Sequence, residues 1–595
     1  MLACVRFRTF LLLSLLLAGA CRSASHREAL SVPGASTVIW VDAAREGPGD
    51  GSRDRPLQSL GEALARPGPL TVRLAPGRYE GPFVLPPGAR LEGLGTGVVL
   101  HAGDDSHTVL KMDEGGILSG VVVQGGQWGL EVTGGSHVRL ERVGFSGQRT
   151  GAVRVESGRL DVEASRFEAA PTATVGILLE SKSPLPPGSG AMATGAERLA
   201  TAPEAPGTAP RQVAEARADA GADPGQVAEA RADAGTAPRQ VAEARADAGT
   251  APRQVAEARA DAGADPGRPA GEAPPTGAEG TRAGPESPRA AGEAHIRDST
   301  FTGPYRRAVR LRGADMRARL EDVRFSGPAT AVGVDGAHAE VLRSSAEGGQ
   351  AAAFSVMSGT LILDEVTVTG HEYGLSAMQA LRLEVHRFTS VRAQRAGMGV
   401  SLSRARLRDI VVRESGSYGG LQFLGGDLDV QGVRVEGAGE YGLMALRGKL
   451  RLRDADIRGV RTADNVTGDG LHLRQVEADV EGVVVREAQG ACVLAAQAAR
   501  VSLRGAKLEA CGDVGLMTDT LARLDASSVK IDGAASALKA HGGSELRVES
   551  LDARGLAKGF AQAECEGGTQ VLLKDLRSED TRGLPETPCV QVLSP

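Results

Sequence analysis

Four short constellations hold the residue types that do chemistry. His101-Ala-Gly-Asp104-Asp105-Ser-His107 places two imidazoles and two carboxylates in one segment, a donor set that could hold a divalent cation; a polar corner explains the same residues. Arg461, Asp464, Asn465, Asp469 and His472 crowd a cation, two acids and a base together, the components of a proton-transfer site, although a tolerated insertion would look alike. Tyr373, Tyr418 and Tyr441 each stand directly before a glycine, as Trp128 does. Rings repeated at that place would stack into a sugar-binding platform, with Tyr418 and Tyr441 as immediate neighbours; corner packing is the plainer reading. Cys565 and Cys589 could close a disulfide in an oxidising compartment, whereas Cys492 and Cys511 either pair or are simply buried small residues.

These side chains must be positioned by something, and a repeat of about 22 residues is the organising feature. Val138-Arg-Leu140-Glu-Arg-Val143-Gly-Phe145 and Leu160-Asp-Val162-Glu-Ala-Ser165-Arg-Phe167 share an alternating apolar template that returns at Leu361, Leu363, Val366 and Val368. Its last position falls at residues 123, 145, 167, 301, 325, 346, 368, 388 and 412, and onward to 578. A second unit, a glycine followed by alternating apolar residues, lies between these positions, as in Gly151-Ala-Val-Arg-Val and Gly470-Leu-His-Leu. Strict alternation means strands with one buried face. Two or three such strands per repeat, broken by Gly, Asp and Ser corners, predict an all-β chain wound as a right-handed parallel β-helix of about 16–18 rungs. At about 4.8 Å per rung, sixteen rungs stack to roughly 75 Å. Leucine-rich repeats are excluded because their asparagine column cannot be built from Asn465, the chain's single asparagine.

Composition agrees. Hydrophobic residues are 41% of the chain, enough for a core, but aromatics are 3%, so Val, Leu, Ile and Ala must build it. Net charge is −6, which argues against nucleic acid as a partner. The outward position after the second apolar residue reads Asp364, Glu384, Arg408, Gln431, Arg453, Glu481, Arg504, Ser527, Glu549, Lys574. Alternating signs in one column describe a compensated, solvated face rather than a one-sign groove.

Two stretches depart from the repeat. Arg6 and Arg8 precede the apolar run Phe10 to Ala18, then Gly19, Ala20 and Cys21, which reads as an export signal over 1–20 followed by a tether over 21–35. The run is too short to span a bilayer. Leu17-Ala18-Gly19-Ala20-Cys21 resembles the lipobox of bacterial lipoproteins, which implies lipidation of Cys21; Ala18 stands where that pattern usually has leucine, and Ala18-Gly19-Ala20 also suits plain cleavage and release. The absence of an aspartate after Cys21 points to the outer membrane, with a periplasmic or extracellular place if the signal is only cleaved. Residues 181–293 carry Gln212-Val-Ala-Glu-Ala-Arg-Ala-Asp-Ala-Gly221, which returns at Gln226, Gln240 and Gln254 between proline-containing spacers. With few large apolar residues and a Gly or Pro in every unit, this stretch is expected to be a disordered loop budding from one corner. The solenoid then occupies 36–180 and 294–595 as one domain.

Val38-Ile-Trp-Val-Asp42, Gly49-Asp-Gly-Ser52, Pro56-Leu-Gln-Ser-Leu-Gly-Glu-Ala-Leu64 and Val72-Arg-Leu-Ala-Pro-Gly-Arg-Tyr79 resemble the opening of pectate-lyase-like β-helix proteins. The resemblance implies a helix near 56–66 that plugs the N-terminal end of the solenoid. Leu57, Leu60 and Leu64 on one helical face agree with this. Function is left open, because this fold hosts lyases, hydrolases, epimerases, adhesins and coat proteins. The Asn-x-Asp element and Gly-His-Gly of polygalacturonases are missing. The reading is an exported, lipid-anchored surface protein with a binding or structural role towards polysaccharide or another envelope protein, leaning away from an enzyme and needing no cofactor. The alternative is a polysaccharide lyase, epimerase or hydrolase, and only this alternative calls for Ca2+.

Overall fold

The computed structural model describes residues 36–181, 292–462, 467–578 and 588–593. The signal over 1–20, Cys21, the tether, Asp464 and all but the edges of the 181–293 insertion lie outside the described residues.

The chain winds as a right-handed parallel β-solenoid of about 17 turns. Each full turn contributes one strand to each of three parallel sheets. Gly158–Glu163, Arg166–Glu168 and Val175–Glu180 form one such turn, and Gly292–Arg297, Thr300–Thr302 and Arg307–Arg312 form the next. Gly158 pairs with Gly292, Phe167 with Phe301 and Ile177 with Val309, so both turns keep one register although residues 182–291 separate them in sequence. Those residues therefore leave and rejoin at the corner between the third sheet and the first.

Alternation decides which side chains face in. Leu160, Phe167, Ile177, Leu179, Leu320 and Val332 are fully buried, and the interior continues as one cluster from Ile39 to Leu573. Phe145, Phe167, Phe301 and Phe325 stack on successive turns of the second sheet with centroids 5.1, 4.5 and 5.2 Å apart. Each such contact adds about 0.5–1.5 kcal/mol beyond the area it buries.

The corner from first to second sheet turns on one left-handed residue per rung. Arg142, Ala164, Asp298, Asp322, Arg343, Glu365, Arg387 and Asp409 occupy it in succession, with φ between 46° and 56°. Asparagine tolerates this conformation well, but the chain has only Asn465, so charged and small residues stand there instead. Their side chains point outward and several pair across turns, as Arg343 does with Asp322 at 2.9 Å and Arg387 with Glu365 at 3.2 Å.

Two expectations need correction. The register column after the second apolar residue runs Asp364, His386, Arg408, not through Glu384, and the last template position at that turn is Ser390, not Phe388. Phe388 pairs instead with Val366 and Ile410; an inner position two residues on accepts a small, fully buried serine, which a search for bulky residues passes over. The helix is also shorter than expected, Leu60–Leu64, with the Ser59 hydroxyl accepting from the Glu62 N–H at 3.4 Å. Leu57 is held instead in a parallel bridge with Val41, and Pro67 disfavours helix at the residue before it. Leu57, Leu60 and Leu64 are nevertheless buried against the first strands. Among the described residues no helix is long and apolar enough to cross a membrane.

Candidate functional site

The third sheet carries the candidate site on its outer face. At or beside the start of seven successive strands stands a small residue, Ala331, Ala353, Gly374, Gly397, Gly420, Gly442 or Gly470, because the interior there is filled: a Cβ on Gly397 would come within 2.4 Å of the Val412 side chain. Two residues further on, the side chain faces out. Reading down that column gives Gly333, Ser355, Ser376, Gly399, Gln422, Met444 and His472. Four successive turns thus present almost no side chain, which makes a low floor along the sheet.

The two sides of the floor differ. One is lined by the next outward column, Asp335, Met357, Met378, Ser401, Leu424 and Leu446, in which the methionines and leucines are half-buried. The other carries Tyr373, Arg395, Tyr418 and Tyr441. The Tyr373 ring leans over the next turn, 3.6 Å from where a Cβ on Gly399 would sit. Arg395 lies 5.7 Å from the centroid of Tyr418 and pairs with Glu372 at 2.6 Å. Burial pushes the Tyr373 hydroxyl above its ordinary range, against the pull of Arg395.

Three turns beyond the floor, past Gln422 and Met444 in the same column, stands a pair that the sequence placed close together. His472 Nδ1 lies 2.7 Å from Asp469 Oδ2, and both residues are 7% exposed. The other carboxylate oxygen accepts from the Ala491 N–H at 2.8 Å. A carboxylate beside Nδ1 selects the tautomer with its proton there, so Nε2 carries the lone pair; that nitrogen is buried and has no hydrogen-bond partner. The Tyr441 ring meets the imidazole edge-on at 4.7 Å between centroids. Arg461 is exposed and its carbonyl accepts from the Glu440 N–H; both Asp469 oxygens are already engaged elsewhere.

The other candidates fare differently. Tyr373 and Tyr441 share one register column, but Ala396 and Gly419 occupy the turns between them. Tyr418 is not their neighbour in that column: it sits one residue earlier, where its N–H donates to the Arg395 carbonyl at 3.1 Å. An extra corner residue, Gly419 before Gly420, makes this offset. His101, Asp104, Asp105 and His107 do not converge, and among the described residues no group of three or more His, Cys, Asp or Glu side chains could hold a metal ion. Asp104 pairs with His107 at 2.7 Å, and hydrogen bonds from Ser106 and then His107 hold its carboxyl well below the usual range. Asp105 turns instead to a polar depression of about 460 Å3 shared with Gln127, Arg149 and Thr150. Disulfides join Cys492 to Cys511 and Cys565 to Cys589.

A larger depression, about 710 Å3, lies on the first sheet over Lys449, Glu477, Asp479, Arg500 and Asp525. Its register column alternates Asp427, Lys449, Glu477 and Arg500, so its charges compensate one another. The outer face of the third sheet is the better candidate because it combines a partly apolar border, rings and, further along the same column, the Asp469–His472 pair. Glu372, Arg395, Gly399 and Ser376 were missed from sequence. Reading two residues past each recurring glycine reaches Ser376 and Gly399, but Gly333 and Ser355 follow alanines and give no such signal.

No family model and no curated protein matches the chain. Among solved structures it is similar to tailspike protein 3 of bacteriophage CBA120, at 8% identity over 87% of this chain and 57% of that one, with a TM-score of 0.25. It is also similar to the PL6 family alginate lyase AlyGC, at 8% identity over 91% and 89% with a TM-score of 0.30. A third is the A-module of the Azotobacter vinelandii mannuronan C-5 epimerase AlgE6, at 11% identity over 90% and 93% with a TM-score of 0.16. The chain spans little more than half of the tailspike's length. Likenesses this distant do not say what this chain binds.

Proposed function

We propose that this chain is an exported protein, anchored to the outer membrane through a lipid on Cys21, whose solenoid binds polysaccharide along the outer face of the third sheet. One observation carries the reading. The floor of Gly333, Ser355, Ser376 and Gly399 is bordered on one side by Asp335, Met357, Met378 and Ser401 and on the other by Tyr373, Arg395 and Tyr418. A linear polymer of repeated units can meet similar groups on successive turns of such a surface. Pyranose rings have apolar faces and polar edges, which suit rings beside hydroxyl and guanidinium groups. Binding of this kind requires no cofactor, and another envelope protein is the competing occupant.

Catalysis is the second reading, a lyase, epimerase or hydrolase in which Ca2+ could take part. The Asp469–His472 pair favours it, because a carboxylate that orients an imidazole is an arrangement used in acid–base catalysis. Protein beginning at residue 22, incubated with acidic and neutral polysaccharides in calcium or in EDTA, separates the readings. Binding without new chain ends supports the surface-binding role. New chain ends establish an enzyme, and their loss in EDTA brings in the metal. Neither signal contradicts both readings.

A further inference from the structure

The Cys492–Cys511 disulfide closes the corner of the solenoid against which the Asp469–His472 pair is built. Cys492 directly follows Ala491, whose N–H is the donor to Asp469 Oδ1 at 2.8 Å. Leu471, next to His472, donates to the Cys492 carbonyl at 3.0 Å, and Gly470 donates to the Ala491 carbonyl at 2.9 Å. Asp469 and His472 thus rest on a two-residue platform, Ala491–Cys492. The turn beyond is itself irregular, because its pairing with the following turn slips between Cys511 and Val514. Hydrogen bonds from Cys492 to Val514 and from Asp513 to Gly490 remain, and the covalent bond spans the rest. Gly490 is fitted to the same arrangement: a Cβ there would come within 2.5 Å of Asp469 Oδ1. The other disulfide, Cys565–Cys589, lies at the last turns and touches none of these groups.

We propose that the Cys492–Cys511 bond positions Asp469 and His472, so that this part of the third sheet's outer face, beyond the floor, takes its ligand-competent form only after the chain has been oxidised. Closing the bond removes two protons and two electrons from the thiols, and a disulfide-bearing oxidant of the compartment accepts them by exchange. The chain would then be incompetent in a reducing cytosol and mature where disulfides form. This inference rests on the reading of the third sheet's outer face as a binding surface, and its test can be separated from that reading. Asp469 and His472 are held by a positioning bond that itself touches no ligand.

The test compares the full chain with C492S/C511S and C565S/C589S, each checked for a cooperative melt. Ala491 amide exchange and the histidine ring 15N spectrum are read in all three, with His472 assigned through H472Q. The expected result is Ala491 exchange at least tenfold faster, and a changed His472 ring signal, in C492S/C511S alone. Against any polysaccharide that wild type retains, C492S/C511S should bind at least tenfold more weakly and C565S/C589S equally well. An unchanged Ala491 and His472 in a cooperatively melting C492S/C511S would overturn the inference, as would an equal response in C565S/C589S. Should C492S/C511S fail to melt cooperatively, C565S/C589S with its remaining disulfide intact and then reduced under native conditions makes the same comparison, and an unmoved His472 signal there overturns it too. If His472 responds as expected while wild type retains no polysaccharide, the positioning stands and the binding reading falls.

Discussion

His371 is the side chain whose chemistry follows most directly from its surroundings. It is fully buried, its Nδ1 lies 3.3 Å from the Ala351 carbonyl, and its Nε2 has no partner. Burial therefore lowers its pKa below the ordinary value near 6.5. A group whose folded pKa is depressed contributes stability above the unfolded pKa and loses it as pH falls through the folded one. Wild type should lose stability between pH 7 and pH 5, and H371Q should lose less over the same interval, as read from urea midpoints. A parallel pH dependence in the two proteins would remove His371 as the cause. Gly490 makes a second case: G490A should cost about 1–3 kcal/mol by pushing Asp469 from its place, measured as a shift in the same midpoints. Equal stability would mean that the corner relaxes freely. Asp469 and His472 were legible as members of one cluster because only two residues, on a strand of the third sheet, separate them. Tyr418 was misplaced because one additional glycine at a corner shifts a side chain to another column, and spacing alone does not reveal where a corner absorbs it.

At the level of strands and corners, the left-handed residue of each rung controls local stability. Ala164 holds φ at 50°, a conformation that costs an L-residue with a Cβ roughly 1–2 kcal/mol and glycine nothing comparable. A164G should therefore stabilise the chain by about 1 kcal/mol, whereas Ala294, buried inside the adjacent strand, should lose stability on the same change. Matching signs for the two variants in thermal melts would contradict this account of the corner. Strand existence and the inner columns could be read from alternation, including Phe145, Phe167, Phe301 and Phe325. The slip at Phe388 and Ser390 arose because inner positions select size only in aggregate: a serine is tolerated where neighbouring turns carry Val368 and Val412. The cap was overestimated for a related reason. Leucines at helical spacing are also buried when only five residues are helical and Leu57 forms a bridge.

For the whole molecule, the fold depends on stacking that residues 182–291 do not interrupt, since Gly158 to Glu163 pair residue for residue with Gly292 to Arg297. A chain lacking 182–291 should melt cooperatively within a few degrees of the full chain, and loss of the cooperative melt would refute insertion at a corner. The 22-residue period made this architecture legible, because each rung repeats the same burial problem. The floor was far less so: it is defined by what four turns lack, and absent side chains leave no motif. Its function is tested most directly by filling it. Wild type and S376F should be titrated with the polysaccharide that wild type retains best, with melting followed in parallel. The account predicts at least a tenfold loss of affinity in S376F with an unchanged melt. Undiminished affinity with the floor filled would contradict it.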